Sequence, residues 1–165
     1  MTRGSFSNTQ TGALVGMGET VLVRPDEAAR AVVGSCVGLV LYEPRCQLAA
    51  VAHIVLPDAA DRNAKPGKFA DTAIPHLLAL LEQEGVRHGG LIAKIAGGAQ
   101  MFVGSPDGPW QIGEANVRAV TTGLAKLAIP IQGMSVGGNQ SRKLSFCCDS
   151  GQMTVEITGQ EPITV

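Results

Sequence analysis

An α/β (α+β) fold of one layered domain, with mainly antiparallel strands and two principal helices, follows from three features of the sequence. Runs rich in β-branched residues alternate with turn signals, and two stretches carry apolar residues at helical spacing. The third feature is size: 165 residues with 45% hydrophobic content suffice for one ordinary core. The expected organisation is a flexible N-terminal tail over residues 1–14 and a single domain over residues 15–165.

Met1 to Gly12 is rich in Ser, Thr, Asn and Gly, the composition of a frayed terminus. Glu19 to Arg24, Ala31 to Tyr42 and Gln47 to Leu56 read as strands, with a turn at Glu43-Pro44-Arg45-Cys46, where proline presets the backbone. Leu56 to Lys68 is rich in Pro, Asp, Asn, Lys and Gly and reads as an exposed loop. Ala73, Leu77, Leu80 and Leu81 give Ala70 to Gln83 a helical period, with Gly85 as its stop and Pro75 tolerated in the first turns. Leu91 to Ala96 is a short buried strand running into Gly97-Gly98. Ala115, Val117, Val120, Leu124 and Leu127 mark a second helix over Gly113 to Leu127. Ile129 to Ser135, Lys143 to Cys148 and Gln152 to Thr158 complete the strands, the last pair turned by Asp149-Ser150-Gly151.

Charge excludes several function classes. Thirteen Lys and Arg against fourteen Asp and Glu leave a formal charge of -1, which gives no field for steering toward nucleic acid or anionic lipid. No apolar run reaches the roughly 18 residues of a membrane span, and the polar start lacks a signal-peptide core, so a cytoplasmic protein without membrane insertion is expected. The four cysteines read as thiols, and their spacing matches no paired ligand set for zinc or another metal. Gly97-Gly98 and Gly137-Gly138 lack the context of phosphate loops and read as tight turns. His76, His88, Asp58 and Asp61 read as solvated surface, and Asp71 as a residue that caps or orients the first helix.

One pair of residues stands out chemically. Val33-Gly34-Ser35-Cys36-Val37-Gly38 sets a thiol between glycines in an apolar run. Taken alone, a free cysteine is more often an inert core residue. A hairpin centred on Pro44-Arg45, however, sets Cys36 opposite His53 on one face of the ladder, where imidazole can take the thiol proton. A bulge would shift that register by one residue and break the pairing. An activated thiol beside a general base is the arrangement that acyl transfer at an amide requires.

Gly34-Ser35-Cys36-Val37 followed by His53-Ile54-Val55-Leu56-Pro57 resembles the signature of the bacterial chemoreceptor glutamine deamidases, the CheD family. The resemblance continues through Lys65 to Ala73, Ala93 to Phe102, Ile112-Gly113 with Asn116-Val117, and Gly137-Gly138-Asn139 with Arg142. It covers about residue 15 to residue 158, and implies the layered fold shared with related toxin deamidases. It also implies hydrolysis of glutamine side-chain amides on chemoreceptors to glutamate through a Cys36 thioester, with His53 as base and no metal or organic cofactor. The cytoplasmic region of a chemoreceptor would be the substrate, and a CheC-type phosphatase of CheY-phosphate the regulatory partner.

The family commonly places a threonine six residues before the cysteine as the third member of the site; here that position is Arg30. A guanidinium has no acceptor for an imidazole N–H, so Arg30 is expected to point outward while a backbone carbonyl orients His53. Gly34, Ser35, Gly98 and Asn139 are candidates for the oxyanion or substrate site. Two rivals remain: a non-catalytic binding module of the same fold, which the Arg30 departure favours, and a thiol peptidase.

Overall fold

The computed structural model describes residues 12–102 and 111–165. Ten strands and two helices run in the order β1 (Ala13–Leu14), β2 (Thr20–Val23), β3 (Ala28–Val33), β4 (Val37–Glu43), β5 (Leu48–Ile54), α1 (Ala70–Gln83), β6 (Ile92–Gly97), α2 (Ile112–Lys126), β7 (Ile131–Val136), β8 (Arg142–Cys147), β9 (Gln152–Glu156) and β10 (Ile163–Thr164). They form two five-stranded sheets, ordered β1-β3-β8-β9-β10 and β2-β5-β4-β6-β7. Among the described residues only β1 with β3 and β6 with β7 are strands paired in parallel, and α2 supplies the crossover between β6 and β7.

Three layers result because the central sheet is apolar on both faces. Its β4 and β5 residues Leu39, Leu41, Ala50, Ala52 and Ile54 pack against Ala73, Leu77 and Leu81 of α1 and Val120 and Leu124 of α2. The alternate residues Val40, Tyr42, Ala49 and Val51 face the outer sheet, where Ala29, Ala31, Val33, Leu144, Phe146 and Val155 meet them. All of β4 is buried, which is why its sequence shows no alternation.

The predicted strand Ala31 to Tyr42 is therefore corrected to two strands in different sheets. β3 ends at Val33 in the outer sheet, and the chain crosses through Gly34-Ser35-Cys36 to begin β4 in the central one. Apolar character persists across the crossing because each strand buries residues between the same two sheets. Of the expected tail, residues 1–11 lie outside the described residues, and Ala13 and Leu14 form a strand paired with Ala29 and Arg30.

The β4–β5 turn corrects the expected register. Glu43 pairs with Leu48, leaving Pro44 to Gln47 as a four-residue loop with Gln47 in the left-handed region at φ 50°. Gly38, and not Cys36, is the Cα partner of His53. This register differs from the predicted one by two residues, which preserves the face: a slip of one would have turned His53 away. Gly38 itself is required by packing, because a Cβ there would stand 2.3 Å from Leu144 Cδ2 of the outer sheet.

Candidate functional site

Cys36 lies at the crossing between sheets, where two backbone bonds hold its segment. Gly98 N–H donates to the Cys36 carbonyl at 2.8 Å, and Ala99 N–H donates to the Gly34 carbonyl at 2.8 Å. The turn that supplies these donors needs glycine at Gly97: its φ is 122°, and a Cβ there would sit 2.1 Å from the Cys36 carbonyl oxygen. Cys36 is 8% exposed and belongs to the apolar cluster between the two sheets.

His53 is 4% exposed near the end of β5 and belongs to the same face as Val51 and Ala49. It pairs with Gly38, two residues beyond Cys36, so the ring lies on the face of the central sheet that meets the outer sheet, the side on which Cys36 is buried. Among the described residues no hydrogen bond joins the thiol to the ring, so the two share a face in the free protein without being engaged.

The far side of the ring is anchored. His53 Nδ1 stands 2.9 Å from the Val15 carbonyl oxygen. A carbonyl only accepts, so Nδ1 carries the hydrogen and the neutral ring keeps its lone pair on Nε2. Val15 is fixed in turn by its own N–H, which donates to the Arg30 carbonyl at 2.9 Å. The neighbouring segment closes round the His53 backbone, with Gly18 N–H donating to its carbonyl and its N–H donating to Glu19.

Arg30 thus touches this chain of bonds only through its backbone. In β3 the residues Ala29, Ala31 and Val33 face inward, and Arg30 is exposed, its Nε donating to the Gly12 carbonyl at 3.1 Å.

Burial pushes the Cys36 thiol above its ordinary value, partly offset by its own backbone N–H, which favours the thiolate. Burial thus favours the protonated form of the thiol, and removal of its proton falls to a base. Cys46 is exposed, and Cys148 is fully buried and pushed up to about 12 by burial and the nearby Asp149 and Cys147.

The remaining candidates divide. Ser35 and Gly34 flank the thiol and are half-buried. Gly98 has spent its N–H on the Cys36 carbonyl, so it positions the nucleophile's backbone and is no longer free as an oxyanion donor. Asn139 is exposed in the turn after β7. Asp71 accepts from Ala59 N–H at 3.0 Å and so pins the loop before α1. His88 pairs with Glu82, whereas His76 is half-buried beside Thr20. No group of three or more His, Cys, Asp or Glu among the described residues could hold a metal ion.

Sequence reasoning missed two contributors. Val15 acts through its carbonyl, a group that every residue carries. Asn116 of α2 is fully buried, and its Nδ2 donates to the Ser35 carbonyl at 3.0 Å and the Val55 carbonyl at 2.9 Å. Its sequence block was visible, but its targets are set only by the packing of α2.

A thiol and an imidazole on one buried face, with the imidazole's far nitrogen anchored, can pass a proton from sulfur to ring. Comparison with known proteins identifies the family. Residues 55–157 match the family described as CheD chemotactic sensory transduction. The chemoreceptor glutamine deamidase CheD of Halalkalibacterium halodurans is 40% identical over 151 residues, which span 88% of this chain and 93% of that protein. The probable chemoreceptor glutamine deamidase CheD of Clostridium botulinum is 40% identical over 153 residues, 90% of this chain and 94% of that one. The chain belongs to the CheD family. The family match begins after both Cys36 and His53, but an alignment spanning 88% of the chain leaves out only about 20 residues and so includes both.

Proposed function

We propose that this chain is a protein-glutamine deamidase that hydrolyses glutamine side-chain amides in the cytoplasmic region of chemoreceptors, linked to chemotaxis adaptation. The observation that carries the mechanism is the anchored ring: with Nδ1–H committed to Val15, His53 has one nitrogen left, and that nitrogen is a base. Membership in a family whose curated members are named for this activity, over nearly their full length, supports the substrate.

The steps balance with water as the only co-substrate. As the substrate carboxamide settles, Cys36 S–H gives its proton to His53 Nε2, and the sulfur bonds to the glutamine side-chain carbonyl carbon. The Cys36 backbone N–H, turned toward the sulfur, is placed to donate to the developing oxyanion. Collapse breaks the C–N bond, and the imidazolium proton leaves with ammonia. Water then gives a proton to His53 and its oxygen to the thioester carbon. Loss of the C–S bond releases glutamate, and Cys36 recovers its proton. Burial raises the thiol's pKa, so the mechanism has the proton move to His53 as the sulfur attacks.

The outward side chain of Arg30 removes the main reason for reading the chain as a non-catalytic module, since residue 30 has no access to the ring from that face. A CheC-type phosphatase is the partner we assign for regulation, on the strength of the family resemblance. A cytoplasmic location accords with the described residues, where no helix is long and apolar enough to cross a membrane.

Incubation with a receptor cytoplasmic fragment, followed by mass spectrometry, tests the reading. A gain of about one mass unit per modified glutamine is expected, lost in Cys36→Ala. Two fragments would establish a peptidase instead, and an unchanged mass would leave a binding module.

A further inference from the structure

The β4–β5 ladder ends just where the two reactive residues need to stay aligned. Val37 and Ile54 are its last pair, and the chain then parts. On one side Cys36, Ser35 and Gly34 climb to the outer sheet. On the other, Val55 N–H turns away to the Lys68 carbonyl. Continuing the register would set Cys36 opposite Val55, but no ladder rung is made there.

Asn116 spans this split. Its two Nδ2 hydrogens go to the Ser35 carbonyl, one residue before the nucleophile, and to the Val55 carbonyl, two residues after the base. The helix can reach because α2 sits directly on the Gly97-Gly98 turn: a Cβ at Gly98 would stand 2.2 Å from Val117 Cγ2. The donors are committed to two carbonyls, which fixes the amide's orientation, and among the described residues Oδ1 is buried without a partner. An apolar residue of similar size would avoid that buried polar atom but would supply neither of the two bonds across the split.

From this we infer that Asn116 is a positioning residue of the deamidase, a side-chain rung that replaces the missing backbone rung and holds Cys36 in line with His53. The inference rests on the proposed function of that pair. It makes Asn116 important for the rate of the chemical step and not for substrate affinity, because its bonds go to the backbones of Ser35 and Val55 beside the reacting residues.

Two measurements test it. In the first, deamidation kinetics on a receptor fragment are compared for the wild type, Asn116→Leu, which keeps the volume, and Asn116→Asp. We expect kcat to fall about 100-fold in Asn116→Leu with KM little changed, the cost of misalignment on the order of an ångström. Asn116→Asp faces a carboxylate to two carbonyl oxygens, which raises its pKa; protonated, it regains one donor. Its rate relative to the wild type should therefore recover as pH falls from about 8 to about 5, whereas a purely structural defect would give a loss independent of pH.

In the second, alkylation of Cys36 by iodoacetamide is followed by peptide mapping in the wild type, Asn116→Leu, His53→Ala and the double variant. If Asn116 acts through the pairing, each single change slows the reaction and the double variant is no slower than His53→Ala. Additive effects, a KM-only effect, or unchanged kcat would overturn the assignment. Failure of both Asn116 variants to fold would also overturn it, by making the residue structural. A wild type that deamidates no receptor fragment would remove the proposed function, while the alkylation cycle would still decide whether Asn116 aligns the pair.

Discussion

Replacing Arg30 by threonine restores the residue that the family commonly carries at this position, and the structure argues that little should happen. Strand alternation sets residue 30 on the outer face of the outer sheet, opposite to Ala29 and Ala31, so a threonine hydroxyl there would also point away from His53. The ring's anchor is the Val15 carbonyl, and Val15 is held by the Arg30 backbone carbonyl, which the substitution leaves in place. What is lost is one exposed hydrogen bond from Arg30 Nε to Gly12, worth about 0.5 kcal/mol. Threonine's better fit to a strand offsets a similar amount. A net change within about 0.5 kcal/mol moves Tm by no more than about 2 °C in a domain of this size. Deamidation of a receptor fragment, read by mass spectrometry, should stay within about threefold of the wild type, equivalent to about 0.6 kcal/mol in the barrier. A gain of about a hundredfold would refute the reasoning. It would require about 2.7 kcal/mol of new transition-state stabilisation, which only direct contact between residue 30 and the ring could supply.

Gly38→Ala should destabilise the fold by about 1–3 kcal/mol in urea denaturation, because the new methyl meets buried Leu144 at 2.3 Å, and Gly38→Ala with Leu144→Ala should recover part of the loss. Equal stability of Gly38→Ala and the wild type would show that the sheets can separate there at no cost. Cys148 predicts an alkaline weakness. Its thiol is pushed up to about 12 in the folded chain, so the unfolded chain releases that proton first as pH rises through about 9. Stability from this group is intact below that pH and falls by about 1.4 kcal/mol per unit above it, until the folded thiol also ionises near 12. Cys148→Ser, whose hydroxyl can still donate to the Gln47 carbonyl, should lower the slope of stability against pH by one proton's worth, and an unchanged slope would contradict the assignment.

What could be read in the sequence was set by periodicity. Ala70–Gln83 forms the first helix as predicted, and Ile112–Lys126 differs from the prediction by one residue at each end. Period alone could not reveal that Ala31 to Tyr42 changes sheets, because burial on both sides of the crossing keeps the run apolar; Gly34-Ser35 was the available sign. Two-residue strands such as β1 and β10 carry no period at all. For the site, the common face of Cys36 and His53 was legible because a shift of two residues preserves parity. Their spacing was not, because the turn centre depended on where Pro44 fell in the loop. The direction of the Cys36 shift was also hidden, since it reflects burial between two sheets that the local sequence does not encode.

These facts meet in one argument about selectivity. A preformed thiolate would react with any electrophile that reached it, whereas burial disfavours the Cys36 thiolate and makes its reaction depend on a base that removes the proton. The base here has its far nitrogen tied to the N-terminal segment, and the nucleophile has its backbone tied to the Gly97-Gly98 turn and, through Ser35, to α2. Alignment is thus supplied by three separate parts of the fold, and among the described residues no hydrogen bond yet joins thiol and ring. On the proposed mechanism, the approach of a carboxamide into the seam brings thiol and ring together, so that reactivity arises with the substrate. A receptor glutamine whose carboxamide fits the seam is then deamidated, which makes the fit at the crossing between sheets the selective step.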